Sequence, residues 1–368
     1  MIINLDTAKV VAEDFKKFKS DPMNLYKQVQ NDRLSVSDYL EKLDPTPMDE
    51  SGEKVTKIDA LGRHLMSLGL EIHGQHSVTL ENLQMAAEYL VPELIRREIE
   101  AGMKSSERYA YGDCVASSID HKGLSYHPIY IPDLTLATAA TRRPKSTGRV
   151  STGQGGEYPK LSIFAREKDI QIGAAGRQIE AHYSVIRNYP WEELGIMFRL
   201  IGAQMAIDKM YEVYQMGVTG DGTVGAATDT FNGAAGTLTY QDLVHNYLGY
   251  SAPFQMDRIL APQTAMETVL TMAQFTDPLS GWQFQKNGVV VTPIGAKMKQ
   301  VDATNAGTPT QTVIVTLDSR YAVREVKSRP LSIEAEKIIA RSFENTVVSE
   351  EYAFSVIADG AIRRIVYT

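Results

Sequence analysis

One run of residues limits what this chain can fold into more than any other. Ile196, Leu200, Ala203, Ile207, Met210 and Tyr214 recur at spacings of 4, 3, 4, 3 and 4, the period of one face of an α-helix. Pro190 stands where a first helical turn tolerates proline, and Glu192 and Glu193 complement the positive end of the helix dipole. The pattern predicts a helix from Pro190 to Gln215 or Met216, and about 26 residues span roughly 40 Å. Ile196, Leu200, Ala203, Ile207 and Met210 are its predicted core face. A helix of that length sets the long dimension of any domain that buries it. Glycines at 217, 220, 222, 225, 233 and 236 follow and read as a loop.

Just before this helix the periodicity changes from 3.6 to 2. Leu161, Ile163 and Ala165 alternate with Lys160, Ser162 and Phe164, and Ile170 and Ile172 follow. Gly173-Ala-Ala-Gly reads as a turn, after which Ile179, Ala181, Tyr183 and Val185 alternate with polar residues. Alternation on both sides of a glycine turn predicts a long hairpin, with strands of about 159–172 and 177–185. Charge concentrates in the same place. The chain as a whole carries −7, yet residues 142–187 hold 9 basic and 4 acidic side chains. Such a block suits attraction to an acidic partner or to like subunits. Lys160, Arg166, Lys168 and Arg177 are its candidate contact residues.

Around these two elements the chain reads as α+β. Residues 1–110 are a series of short helices with narrow apolar stripes, a helical extension that needs a partner surface. Asp6-Thr7 starts one helix through Val10, Val11 and Phe15, Asp21-Pro22 a second, and Ser35 or Ser37 caps a third ending near Leu43. After a break at 44–52, helices follow over about 57–70, from near Thr79, and from Pro92. Downstream, Arg258–Ala261, Val289–Thr292, Val313–Thr316 and Ala322–Val326 read as strands and 262–272 as a helix. There is no regular βαβ rhythm.

The search for chemistry excludes more than it finds. No Gly-x-Ser-x-Gly elbow and no phosphate-loop motif occurs. A single cysteine, Cys114, excludes an intramolecular disulfide and cysteine-based zinc sites. His73 and His76 are the best metal candidates, but Gly74 lies between them and no third ligand is near in sequence. Asp208 and Glu212 form an i, i+4 carboxylate pair, with Lys209 beside them making a solvated or intersubunit edge the expected role. No apolar run approaches the length of a membrane span. The expectation is a non-enzyme without catalytic, cofactor or metal sites.

Element order carries the reading further. A proline-initiated helix at Leu90–Ile99 is followed by a Gly155-Gly-Glu-Tyr-Pro159 entry into the basic hairpin. The long helix ends in Gly217-Val-Thr-Gly-Asp-Gly222, an α/β segment holds Arg258–Ala265, and a β-rich close runs from Glu351 to Tyr367. Over residues 90–368 this order resembles the major capsid proteins of tailed phages, the Hong Kong 97-type capsid fold, which encapsulins share. The resemblance implies a helical N-terminal arm (1–110), the start of a peripheral domain (111–149), an extended E-loop hairpin (150–187), a spine helix (188–216), an axial domain (217–330) and a return to the peripheral domain (331–368).

It further implies a chain that assembles with itself, as hexamers and pentamers, into an icosahedral shell around double-stranded DNA. Contact with that DNA would be electrostatic, without base readout. Portal, scaffold and decoration proteins are the other implied partners, no cofactor or membrane is needed, and the place is the virion, assembled in the host cytoplasm. No covalent cross-link is assigned to Lys160 or Lys168. An encapsulin-like compartment around a cargo enzyme, or a soluble enzyme with a dispersed site using His73 and His76, are the alternatives.

Overall fold

A computed structural model describes residues 35–47, 58–67, 70, 79–87, 90–105, 109–131, 163–231, 233, 236–251, 253–273, 295–304, 307–338 and 343–367. In chain order, the described elements begin with helices α1 (Val36–Leu43), α2 (Ala60–Ser67), α3 (Leu80–Ala87) and α4 (Val91–Lys104). Strands β1 (Val115–Asp120), β2 (Ser125–Tyr126), β3 (Ile129–Tyr130), β4 (Phe164–Ala165), β5 (Ile170–Gln171) and β6 (Gly173–His182) come next. Then follow α5 (Tyr183–Asn188), α6 (Trp191–Val218), β7 (Thr228–Asp229), α7 (Tyr240–Gly249), β8 (Arg258–Pro262) and α8 (Gln263–Leu270). The chain closes with β9 (Lys297–Val301), β10 (Val313–Leu317), β11 (Val323–Ile338), β12 (Phe343–Val356) and β13 (Ile362–Val366). It divides into two compact units: Met1–Gly102 with Gly176–Gly202 and Pro330–Ser349, and Met103–Ala175 with Ala203–Arg329 and Glu350–Thr368.

In the first unit the N-terminal helices pack. The expectation of an extended arm is corrected here for the described residues: Leu61, Leu65, Leu83, Leu90 and Ile99 are fully buried. Ser35 caps α1, its hydroxyl accepting from the Asp38 N–H at 3.0 Å while Asp38 answers in a capping box. The Ser37 hydroxyl donates to Glu93 at 2.5 Å, which ties α1 to the first turn of α4. Arg96 holds the same buried carboxylate at 2.7 Å. The proposed helices at Asp6-Thr7 and Asp21-Pro22 lie outside the described residues.

His64, in the last turn of α2, is half-buried, and burial lowers its pKa from 6.5 to about 4. A folded pKa below the unfolded one means the unfolded chain takes up the proton first as pH falls. Stability contributed by the neutral ring is therefore lost between about pH 6.5 and 4. The melting temperature of the His64→Gln variant is expected to fall less over that window than that of the parent. Parallel melting curves for the two across the window would show an imidazole that titrates as in water.

The long helix forms as read, though its buried face is not the one predicted. Ile196 and Leu200 are exposed, Ala203 and Ile207 are half-buried, and of that set only Met210 is buried. The buried stripe is Trp191, Gly195, Phe198, Gly202, Met205 and Lys209, followed by Met210, Val213 and Tyr214. Two glycines explain the rotation. A Cβ at Gly202 would collide with the carbonyl oxygen of Ile99 on α4, and one at Gly102 with the carbonyl oxygen of Arg199. The two helices thus cross backbone to backbone, which only this face of α6 permits.

The hairpin expectation is also corrected. Gly173–Gly176 is strand rather than turn, and β6 lies beside β12 in a four-stranded sheet ordered β1-β11-β12-β6. The preceding arm pairs backwards in sequence: Ser125 faces Gln171 and Tyr126 faces Ile170, while Ile129 faces Ala165 and Tyr130 faces Phe164. Residues 124–131 and 163–172 therefore form a two-stranded ribbon.

The second unit holds a mixed five-stranded sheet, β7-β13-β10-β8-β9. Here β10 runs antiparallel to β8 and β13, while β8 with β9 and β13 with β7 are parallel. Both faces are covered, so β10 is apolar along nearly its whole length and fully buried. Val313, Val315 and Leu317 join a cluster with Met210, Val213 and Tyr214 of α6, while Ile314 joins Leu243 of α7 and Ala265, Met266 and Val269 of α8. β13, assigned from the resemblance to the peripheral sheet, is a central strand of this one. The strand read at Val289–Thr292 lies outside the described residues.

Candidate assembly surface

The ribbon is built from short pieces with few internal bonds. Arg166 donates its backbone N–H to the Pro128 carbonyl and Ile172 donates to Leu124, each at 2.8 Å. Ile170 and Ile172 turn inward and are buried, but Leu124, Ile129, Ile163 and Phe164 are all exposed. Phe164 tilts against Tyr130, with ring centroids 6.2 Å apart, and the Arg166 guanidinium lies 5.6 Å from the Tyr130 ring centroid. An isolated two-stranded ribbon is marginal in water. One with four large apolar side chains in solvent lacks a partner surface.

The four candidate contact residues separate. Lys160 lies outside the described residues. Lys168 is exposed on the ribbon, between β4 and β5. Arg166 is half-buried and reaches the Val356 carbonyl at 3.4 Å, so its charge is engaged within its own subunit. Arg177 is half-buried on β6, outside the ribbon altogether. Sequence reasoning missed Leu124 and Ile129. The available signal was a run of strand formers, Ser125-Tyr and Ile129-Tyr, on either side of Pro128.

A second polar constellation lies inside the second unit. Lys209, only 1% exposed, donates to Glu350 at 2.8 Å, Glu325 at 3.2 Å and the Tyr111 hydroxyl at 3.4 Å. Its ammonium sits 4.4 Å from the Tyr352 ring centroid and 5.0 Å from that of Tyr111. Burial opposes the charge, but Glu350, Tyr111 and Glu325 outweigh it and hold Lys209 above the usual lysine range. Lys327 adds a second cation, 3.1 Å from Glu325. Glu212 accepts from the Tyr352 hydroxyl at 2.9 Å, and burial raises its pKa. The solvated edge expected around Lys209 is thus a buried brace between α6, β11 and β12. Its members are engaged with one another, which is the chemistry of a structural network.

Elsewhere the described residues hold no group of three His, Cys, Asp or Glu placed for a metal ion. His73 and His76 lie outside them. The Cys114 thiol is fully buried, and burial pushes its pKa up to about 12. An open depression is lined by Thr239, Tyr240, Gln241, Val244, Met272 and Ala273, none of them a carboxylate, lysine, histidine or cysteine. No described helix is long and apolar enough to cross a membrane.

No protein-family model matches the sequence, and a search of curated proteins finds no match. Solved structures do match. The capsid of an empty GTA particle aligns at a TM-score of 0.51 and 13% identity, covering 72% of this chain and 91% of that one. A cyanophage capsid aligns at a TM-score of 0.45 and 12% identity, over 70% and 87% of the two chains. An encapsulin complex from Synechococcus elongatus aligns at 0.43 and 13%, over 72% and 89%. The chain has the α+β Hong Kong 97-type capsid fold.

Proposed function

We propose that this chain is a major capsid protein that assembles with itself into an icosahedral shell around the double-stranded DNA of a tailed phage. The ribbon carries the reading: a projection with Leu124, Ile129, Ile163 and Phe164 in solvent is completed by a neighbouring copy. The capsid fold supports the same conclusion. In this reading the ribbon takes the role of the E-loop, with Lys168 as the charged contact at its exposed face. α6 is the spine, and the five-stranded sheet with α7 and α8 forms the axial domain. Hexamers and pentamers are the expected assemblies, the DNA is held without base readout, and portal and scaffold or decoration proteins are further partners. The place is the virion, after assembly in the host cytoplasm, and no catalytic role is assigned.

The ribbon gives the test. The paired substitution Ile129→Asp with Phe164→Asp alters only exposed side chains, so circular dichroism and melting should match the parent. Particle yield by electron microscopy should fall at least about tenfold. Parental particle yield from the double variant would refute the ribbon as an assembly surface. Nuclease-protected double-stranded DNA inside the parental particles is expected, whereas a protein cargo without it would favour the compartment alternative.

A further inference from the structure

A single guanidinium gathers the turn that follows α1. Arg63 of α2 donates from Nη2 to the Asp44 backbone carbonyl at 2.6 Å and from Nε to the Asp44 carboxylate at 2.9 Å. Its Nη1 donates to the Thr46 hydroxyl and to the Ile58 carbonyl, each at 3.1 Å. Glu41 fixes the other side of the turn, accepting from the backbone N–H of Thr46 at 2.9 Å and that of Ala60 at 3.1 Å. Between these anchors lies an Asp–Pro bond, Asp44–Pro45. Asp44 has left the helix, with φ −133° and ψ 79°, as the residue before a proline is driven to do. Pro45 is exposed to solvent.

We propose that Asp44–Pro45 is an acid-triggered self-cleavage site, with the Asp44 carboxylate as nucleophile and Arg63 as the oxyanion donor. A carboxylate in this position reaches the carbonyl carbon of its own residue through a five-membered ring, an intramolecular attack with a large effective concentration. The proline nitrogen belongs to a tertiary amide, and once it takes a proton from solvent it leaves as a secondary amine. To this common chemistry the fold adds the guanidinium. It stands 2.6 Å from the oxygen on which negative charge develops, the place of an oxyanion-hole donor. The carboxylate oxygen bonds to the Asp44 carbonyl carbon, the C–N bond to Pro45 breaks, and a cyclic anhydride remains. Water opens the anhydride to two carboxyl groups, so the sum is hydrolysis of one peptide bond, and Arg63 keeps its protons throughout. After the cut, α1 is held by noncovalent contacts such as that of Ser37 with Glu93, and residues 1–44 become separable from the rest. This inference does not depend on the shell reading.

The chain carries its own controls, since Asp21–Pro22 and Asp277–Pro278 are its other Asp–Pro bonds. The full chain is held with acid-protease inhibitors at about pH 5, above the pKa of about 4 at which the adjacent His64 charges. Mass spectrometry should find fragments ending at Asp44 and beginning at Pro45, formed at least about tenfold faster than fragments from the other two bonds. The rate should not depend on protein concentration. In concentrated urea, where the clamp is gone, the three bonds should break at similar rates. Arg63→Gln should slow the cut at least about tenfold. Asp44→Glu keeps the charge but enlarges the ring, and should abolish the cut while the melting temperature stays near the parent's. Cleavage at Asp44 no faster than at the other two bonds in the folded chain would overturn the proposal, as would a preference that survives urea. A cut that persists in Asp44→Glu overturns it equally, and that variant decides the matter should Arg63→Gln fail to fold.

Discussion

Gly202→Ala is expected to destabilise the first unit by about 3 kcal/mol or more, although alanine is the better helix former by about 1 kcal/mol. The added methyl group has nowhere to go, since it would land on the Ile99 carbonyl oxygen of α4. Relief requires two helix backbones to move apart. Overpacking of a core costs about 1–3 kcal/mol when flexible side chains can yield, and more when they cannot. Gly102→Ala meets the Arg199 carbonyl across the same crossing, so the two substitutions should be strongly non-additive: once the helices have separated, the second methyl adds little. Thermal melting of the two single variants and the double variant decides this. A single variant that melts within a degree of the parent would mean the helices do not cross at these glycines.

Lys209→Met should cost about as much for the opposite reason. The methionine fills a similar volume, but Glu325 and Glu350 remain, at 3% and 5% exposure, without the ammonium they share. Removing one partner of a buried ion cluster costs about 3–5 kcal/mol, because charge is left uncompensated in a poorly polarisable interior. Lys327 reaches only Glu325 and cannot replace Lys209 at Glu350. Adding Glu325→Gln and Glu350→Gln to Lys209→Met should recover most of the loss. If the triple variant were no more stable than Lys209→Met alone, packing around the lysine stem rather than charge would be the cause.

These two sites also separate what was legible in the sequence from what was not. The length of α6 could be read because its apolar residues keep one period from Ile196 to Tyr214, about five turns. Its rotation could not, because it is apolar on two sides. Ile196, Leu200, Ala203 and Ile207 follow the same 4-3-4 spacing as Trp191, Gly195, Phe198, Gly202 and Met205. The deciding signal lay in the glycines, which mark where another backbone comes close, and in Lys209, which continues the second stripe. The ribbon failed for another reason. Period two identifies a strand but not its partner, and a local glycine turn was the simplest pairing. The actual partner lies about 40 residues upstream at Ser125–Tyr130. Elements with local signals fared better: of the two caps read, Ser35 or Ser37, the structure uses Ser35, and the strand β8 followed by α8 and the largely apolar β10 stand where they were read.

The place of β13 bears on how the polypeptide is made. In the order β7-β13-β10, residues 362–366 fill the gap between two strands, and β7 has no other partner in that sheet. On the ribosome, the sheet of the second unit therefore stays open until those residues have emerged, with one side of β10 unpaired during synthesis. Chains that stop short of Ile362 would keep that hydrogen-bonding edge bare, the state that invites intermolecular strand pairing. The sheet thus closes only once residues 362–366 are in place, after all of its other strands have been made.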